Sequence, residues 1–179
     1  MASALGARRV LWRLAFVGLA TLVAFVQLLP LGSGAGGLPG PDLLALLAIA
    51  WVLRRPDFVP VGLIAAVMLA ADFLFMRPPG LWAALVVLGT EFLRVREQGL
   101  RDLPFFVEWG LVAGVLLAMT LAEAATLLVF VVDQPSLGLT LIQLIMTILA
   151  YPLVVGVTAF GMGLRRAAPG EVDDMGHRL

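Results

Sequence analysis

Long apolar stretches separated by short polar breaks make up most of this chain. Six apolar segments stand out, at residues 10–31, 42–53, 58–76, 80–93, 104–132 and 137–164. The first is long enough as a helix, at ~1.5 Å per residue, to cross a hydrocarbon core about 30 Å thick. The second would reach only about 18 Å, so it is expected to thin the bilayer, to lean on neighbouring helices or to be partly re-entrant.

The break "RRPDFVP", which follows the second segment, carries residues that end one helix and begin the next. Pro56 is predicted to stop the second helix, and Asp57 is predicted to cap the third by accepting backbone N–H bonds. Trp51 is expected at the depth of the membrane interface. Arg54 and Arg55 are expected to hold a cytoplasmic turn of the hairpin.

Two further breaks carry similar signals on the opposite side. In "PGPDLLAL", Asp42 is predicted to cap the outer end of the second helix. The stretch "ADFLFMRPPGLWAAL" predicts an outer turn in which Arg77 lies between Asp72 and the stop formed by Pro78 and Pro79. Helix capping and interface ion pairing account for these aspartates without a ligand.

The composition places these segments in a membrane. Of the 179 residues, 61% are hydrophobic and only 13% are charged, and the mean hydropathy is +1.04. Soluble domains have about a quarter of their residues charged. The predicted fold class is therefore an all-α integral membrane bundle of six transmembrane helices, a single domain over 1–179 with a cytoplasmic tail at about 165–179.

The arginines decide whether the short segments cross. All twelve basic residues are arginines, and six spans with the amino terminus inside would leave only Arg77 outside, in agreement with the positive-inside rule. If the second segment failed to cross, only Arg8, Arg9, Arg13 and Arg77 would remain inside. Six spans with both termini cytoplasmic are therefore predicted.

Few residues offer chemistry for catalysis. The chain has no cysteine and no lysine, which excludes thiolate metal sites, thiol nucleophiles, a P-loop and Schiff-base chemistry. The single histidine, His177, lies in the tail, and no two carboxylates are spaced as metal ligands on one helix face. We predict a non-enzymatic protein without catalytic residues, cofactor, metal or nucleic-acid partner.

Three glutamates lie in or beside the apolar segments. Glu91 has Arg94 three residues on and is expected to form an ordinary ion pair near the inner face. Glu108 is expected to lie close enough to the inner interface to be wetted. Glu123 lies deep in a long apolar run without an arginine within one turn, so either a functional role or a packing partner is expected for it.

Small residues recur every four positions in the fifth segment, at Gly110, Gly114, Ala118 and Ala122. Such a row lets another helix backbone approach closely. Packing inside the protein is the preferred interpretation, and a partner helix is the alternative. Glu123 is predicted to border the same contact.

A polar stripe recurs with the same spacing in the sixth segment. Gln143, Thr147 and Tyr151 lie at i, i+4 and i+8, on one face of a helix. The stripe predicts hydrogen bonds between helices, with Glu123 as a candidate partner.

The stretch "PDLLALLAIAWVLRRPDFVP", followed by "ADFLFMRPPGLWAALVVLGTEFLR", resembles the central core of the MreD family of rod shape-determining membrane proteins, in its alphaproteobacterial form. The resemblance covers about residues 38–101. It is carried by turn and cap positions, namely Pro41, Asp42, Trp51, Arg54, Arg55, Pro56, Asp57, Asp72, Arg77, Pro78, Pro79 and Glu91. The ends of the chain fit the family mainly by length and number of spans.

The resemblance implies a multi-pass subunit of the bacterial inner membrane. In this family the subunit serves as a scaffold of the elongasome, the machinery for lateral-wall peptidoglycan synthesis and rod shape. MreC is the implied partner, with MreB, RodA and a class B penicillin-binding protein in the same complex. The implied fold is similar to that of the substrate-binding S-components of energy-coupling-factor transporters.

The likeness to S-components supplies the alternative function, a small-molecule (vitamin) binding subunit of a transporter. Ala20 and Ala24 form an AxxxA pair of the kind that those subunits use to dock on their transport module. A vitamin pocket requires polar groups that converge on the outer side. The polar residues expected there are few, namely Asp42, Asp72, Arg77, Asp133 and Gln134. This scarcity favours the scaffold.

Overall fold

Helices account for nearly all of the described chain. The structure, a computed structural model, describes residues 2–29, 39–100, 103–131 and 136–161. These ranges contain six α-helices and one 3-10 turn, namely α1 (Ala2–Leu28), α2 (Leu43–Arg54), the turn Pro56–Phe58, α3 (Val61–Leu74), α4 (Leu81–Leu100), α5 (Phe105–Val129) and α6 (Leu137–Gly161). The all-α prediction is confirmed. The predicted tail, together with Asp133 and Gln134, lies outside the described residues.

Three of the described helices are long and apolar enough to cross a membrane. They are Gly6–Leu28 within α1, Phe105–Val129 (α5) and Leu137–Phe160 within α6. α2 and α3 are also apolar but shorter, at 12 and 14 residues. α4 differs because its second half carries four charged residues, Glu91, Arg94, Arg96 and Glu97. The chain is thus a multi-pass membrane protein.

α2 forms the centre of the bundle. Every residue from Leu44 to Arg54 is buried, because α1, α3, α4 and α6 all pack against this helix. A helix that is apolar on all sides is typical of such a position. Of the three expectations for this short segment, the structure supports leaning on neighbouring helices.

The remaining helices pack around α2 largely in chain order. α3 packs on α4, α4 on α5 and α5 on α6, while α1 contacts α2, α3 and the 3-10 turn. Large apolar side chains point away from the bundle, with Leu14, Leu121 and Leu153 between 61% and 69% exposed. Such an outer surface matches a lipid environment, where it meets hydrocarbon rather than water.

α1 directs one face inward, formed by Phe16, Ala20 and Ala24 at i, i+4 and i+8. The two alanines are 2% and 6% exposed, so their small side chains serve the internal contact and are not free to dock on another protein. Trp51 is fully buried, with the rings of Phe16 and Trp12 edge-on to it at centroid distances of 5.3 and 6.0 Å. Trp51 thus packs between helices, and its expected depth at the membrane interface stays a prediction.

Candidate functional site

A buried ion pair joins α2 to α5 at one end of the bundle. Arg54 Nη1 donates to Glu108 Oε2 at 3.0 Å, and both side chains are almost completely excluded from solvent. The hydroxyl of Tyr151, on α6, donates to the other carboxylate oxygen, Oε1. One carboxylate thereby joins three helices. We call Arg54, Glu108 and Tyr151 the closed cluster.

Glu108 is 0% exposed, so the expectation that it is wetted is wrong. The ring of Phe105 stacks on that of Tyr151 at a centroid distance of 6.1 Å beside it. The Arg54 side chain likewise turns into the bundle, because Glu108 supplies a counter-charge that makes its burial tolerable. Arg55, the next residue, stays half-buried at the end of α2.

A second link between α5 and α6 lies beside the closed cluster. Pro152 is inside α6 and has no N–H, so the Ile148 carbonyl four residues earlier has no helical donor. The indole N–H of Trp109 donates to that carbonyl at 2.8 Å. Because an unpaired carbonyl is costly in lipid, this bond explains how a proline is tolerated directly after Tyr151.

Arg94 holds the turn between α2 and α3. Its guanidinium donates to the carbonyls of Pro56 and Val59, both at 2.7 Å. Its Nε donates to Glu91 at 2.7 Å, which confirms the predicted i,i+3 pair. The turn is thus fixed by a side chain of α4 through its backbone carbonyls.

The predicted cap of α3 by Asp57 is wrong. α3 begins after Pro60 and has no side-chain cap, while Asp57 is exposed in the 3-10 turn. The 3-10 turn begins at Pro56, which stops α2 as predicted, and it separates Asp57 from the first N–H groups of α3. An N-cap must directly precede its helix, and Asp57 lies three residues too early.

A polar cavity of about 520 Å³ lies at the opposite end of α2, between Asp42, the turn that joins α3 to α4, and the helices α4, α5 and α6. Its polar lining residues are Asp42, Arg77, Thr120, Glu123, Thr140, Gln143 and Thr147. Its apolar lining includes Trp82, Leu116, Leu127 and Leu144. We call it the polar cavity. At ~1.5 Å per residue, the length of α2 separates it from the closed cluster by about 18 Å.

Asp42 organises one wall of the polar cavity. Its Oδ1 accepts from the Ala45 N–H at 3.0 Å, which confirms the predicted cap of α2. Its Oδ2 accepts from Arg77 at 3.1 Å, and its own N–H donates to the Thr147 hydroxyl at 3.0 Å. Thr147 and Tyr151 therefore make the predicted bonds between helices, whereas Gln143 lines the cavity.

Asp72 supports the turn that carries Arg77. It is fully buried, and its Oδ2 accepts from the N–H groups of Gly80 and Ala83 at 2.9 and 3.1 Å, at the start of α4. Gly80 adopts φ +87°, a conformation that favours glycine. Pro78 and Pro79 are exposed in the turn between Asp72 and Gly80. The predicted capping role of Asp72 and the predicted turn are therefore both present.

Glu123 also lines the polar cavity, together with Gln143 and Thr147. Among the described residues it has no hydrogen-bond or ion-pair partner. The predicted bond between Glu123 and the polar stripe of α6 is therefore absent among the described residues, although Glu123, Gln143 and Thr147 line the same cavity. The predicted place of Glu123 beside the small-residue row is also wrong, because that row lines a separate groove.

An apolar groove of about 390 Å³ runs between α4 and α5. One side is formed by Leu85, Leu88 and Phe92 of α4. The other side contains the complete predicted row of small residues, Gly110, Gly114, Ala118 and Ala122. We call it the α4–α5 groove.

No described helix fills the row in the α4–α5 groove. Gly110, Gly114 and Ala118 are exposed, and a Cβ built on either glycine would meet nothing within 4 Å. The preference for internal packing is therefore wrong. The reason is that α5 packs inward through Val112, Leu116 and neighbouring large side chains on its other face.

Two structurally important residues were not recognised from the sequence. Gly89 lets α4 pack tightly against α5, since a Cβ there would lie 2.6 Å from Met119 Sδ. An isolated glycine inside an apolar helix is the available signal for such an approach. For Glu108 the signal is the one used for Glu123, an acidic residue in an apolar segment without an arginine within a turn.

Comparison of the chain with protein-family models, with curated proteins and with solved structures found no match.

Proposed function

We propose that this protein is a non-enzymatic membrane scaffold of the elongasome, and that it binds MreC through the α4–α5 groove. The resemblance of residues 38–101 to the MreD family suggests the process and the partner. The observation that supports the proposed binding surface is the uncovered row from Gly110 to Ala122. A transmembrane helix of MreC is the proposed occupant.

The physics of helix association in lipid favours this surface. Because lipid tails are as apolar as leucine, helices associate there through close packing and hydrogen bonds, and small residues permit the closest approach. The walls of the groove, including Leu88 and Phe92, would pack on either side of the incoming helix. The rest of the complex, with MreB, RodA and a class B penicillin-binding protein, would assemble around this pair.

The proposal includes six spans in the bacterial inner membrane with both termini cytoplasmic. In this arrangement Arg77 and the polar cavity lie outside, and the closed cluster lies towards the cytoplasm. Cysteines introduced at Pro79 and Ser136 should react with an impermeant thiol reagent from outside, whereas one at Gly99 should not. Labelling of Gly99→Cys from outside in intact cells would contradict this topology.

Gly114→Ile tests the docking surface. The substitution fills the row with a β-branched side chain but meets no internal neighbour, so the protein should fold and lose MreC. Gly18→Ile is the matched control, because Gly18 is also an exposed helical glycine with nothing within 4 Å of its Cβ position. We expect similar thermal stability of both variants in detergent, and loss of MreC in pull-downs with Gly114→Ile alone.

The consequence in cells separates the proposed function from its alternative. In a rod-shaped host depleted of its own protein, Gly114→Ile should give rounded, widened cells, and Gly18→Ile should restore normal width. Normal width with Gly114→Ile would exclude the groove as the surface that matters. A vitamin auxotrophy in the depleted strain, without a change of shape, would overturn the scaffold and favour a transporter subunit.

A further inference from the structure

The polar cavity contains one carboxylate, that of Glu123, that has no ion-pair partner among the described residues. We infer that the cavity binds a small protonated amine, whose ammonium group contacts Glu123 and whose hydrocarbon part lies against Trp82, Leu116 and Leu144. This site lies apart from the α4–α5 groove and does not depend on the scaffold proposal.

The charges around the cavity favour a cation over an anion. The guanidinium of Arg77 is paired with Asp42, and it also lies over the rings of Phe75 and Trp82 at 5.3 and 5.9 Å from their centroids. Its charge is therefore already neutralised and partly shielded. In the described part of the lining, Glu123 alone carries a charge without an ion-pair partner, so an anion would meet net repulsion and a cation net attraction.

The hydroxyl groups of the cavity favour a ligand that donates hydrogen bonds. Thr120 Oγ1 donates its proton to the Leu116 carbonyl at 2.9 Å, and Thr147 Oγ1 donates to the Gln143 carbonyl at 2.7 Å. Thr147 Oγ1 also accepts from the Asp42 N–H, so one of its two lone pairs is already used. Each hydroxyl has only one proton, so what remains available to a ligand is its capacity to accept. An ammonium group has three donors and can satisfy the Glu123 carboxylate and a threonine oxygen together.

The size and remaining groups of the cavity suit an organic cation. About 520 Å³ lies within the range of ~300–1,000 Å³ that is usual for small-molecule sites, and much of the wall is apolar. The Trp82 indole N–H is buried without a hydrogen-bond partner in the described structure, so an acceptor oxygen on the ligand would satisfy it. Within the described ranges no three acidic or histidine side chains are placed to hold a metal ion.

The test uses probes that differ in charge but little in shape. The full chain is placed in nanodiscs of phosphatidylcholine alone, a lipid without a primary amine. Binding of 2-phenylethylamine, 2-phenylethanol and 3-phenylpropanoate is measured by tryptophan fluorescence and calorimetry, with n-hexylamine as a second amine. We expect both amines to bind, with 2-phenylethylamine about tenfold tighter than the alcohol, and the anion to bind weakest.

Glu123→Gln assigns the amine to this carboxylate. The change keeps the shape of a side chain that has no partner in the described structure, so thermal stability should be unchanged. Affinity for 2-phenylethylamine should fall about tenfold, while affinity for 2-phenylethanol should not change. Glu91→Gln, which removes a carboxylate outside the cavity, is the control and should bind the amine normally. Thr120→Val should weaken amine binding independently.

Nanodiscs that contain phosphatidylethanolamine then distinguish two sources of the ammonium group. Competition between this lipid and 2-phenylethylamine would identify a lipid headgroup, and absence of competition would identify a soluble amine; either result supports the site. Failure of both amines to bind, tighter binding of the anion, or unchanged amine affinity in Glu123→Gln would overturn the inference.

Discussion

The closed cluster and the polar cavity lie at opposite ends of α2. Each contains an arginine–carboxylate pair, and the two pairs differ in how far they are buried. In the closed cluster the Arg54–Glu108 pair is sealed by three helices, and Tyr151 occupies the other oxygen of Glu108. In the polar cavity the Arg77–Asp42 pair is partly open, with the arginine side chain 29% exposed.

This difference distinguishes charges that stabilise the fold from a charge that is available to bind a ligand. At the closed cluster both carboxylate oxygens of Glu108 have protein donors, so the charges connect helices. At the polar cavity, Asp42 and Arg77 satisfy each other while Glu123 remains without a partner. A buried charge that is fully paired serves the fold, and an unpaired charge in a cavity is available to a ligand.

The largest effect is expected from Glu108→Ala. The substitution leaves Arg54 buried without a counter-charge, and removal of one partner of a buried pair costs about 3–5 kcal/mol. Unfolding of the purified protein in mixed micelles measures the loss. Glu91→Ala is the control at a partly exposed pair and should cost no more than ~1 kcal/mol. Equal losses in the two variants would show that the closed cluster is not the stabilising element that its geometry indicates.

A double substitution sharpens this prediction. Arg54→Met combined with Glu108→Leu removes both charges and fills the space with apolar side chains of similar size. Because a buried pair replaced as a whole by apolar residues is often neutral in stability, the double variant should be more stable than Glu108→Ala. If the double variant were less stable than Glu108→Ala, the attraction between the two charges would contribute more to stability than the cost of leaving Arg54 buried and unpaired.

Tyr151→Phe should have an intermediate effect. It removes the hydroxyl and leaves Glu108 Oε1 without this donor, at a cost of about 1–3 kcal/mol for a buried polar atom. The stacking of Phe105 on the ring is retained, so the change isolates the hydrogen bond. The same unfolding measurement applies, and a loss within ~0.5 kcal/mol of zero would mean that another donor takes over.

Arg77→Met probes the corresponding pair at the polar cavity. The arginine is partly exposed, so loss of its pair with Asp42 should cost about 1 kcal/mol or less. The Asp42 cap of α2 is retained because Ala45 donates to the other oxygen. A loss as large as that of Glu108→Ala, in the same assay, would remove the distinction between the two ends of α2.

The smallest effect on stability is expected for Glu123→Gln. Since the described structure gives this carboxylate no partner, the free energy of unfolding should stay within about 0.5 kcal/mol of the original. Measurement without added ligand checks this. A destabilisation above ~2 kcal/mol would indicate that Glu123 supports the fold, as Glu108 does.

Local features of the sequence predicted much of the structure. The cap at Asp42, the stop at Pro56 and the Glu91–Arg94 pair all depend on residues within four positions of one another. Thr147 and Tyr151 were recognisable because helical periodicity places them on one face. Such signals do not require knowledge of how the helices are arranged.

Features that depend on the arrangement of helices were not predictable in this way. Arg54 and Glu108 are 54 positions apart, and the closeness of either to a helix end suggested contact with water. The outward direction of the Gly110 row could not be predicted because α5 has apolar residues on both its inner and its outer face, so its pattern does not distinguish the two faces. The Asp57 cap failed because a 3-10 turn intervenes before α3.

The central position of α2 has a consequence for biogenesis. A 12-residue helix that ends in a buried arginine is a poor substrate for independent insertion by a translocon, since it is too short to span alone and its charge has no counter-ion. The counter-ion, Glu108, is synthesised more than fifty residues later, and Tyr151 later still. We therefore expect α2 to reach its final depth only after α5 and α6 have left the ribosome, so that the innermost helix is among the last to settle.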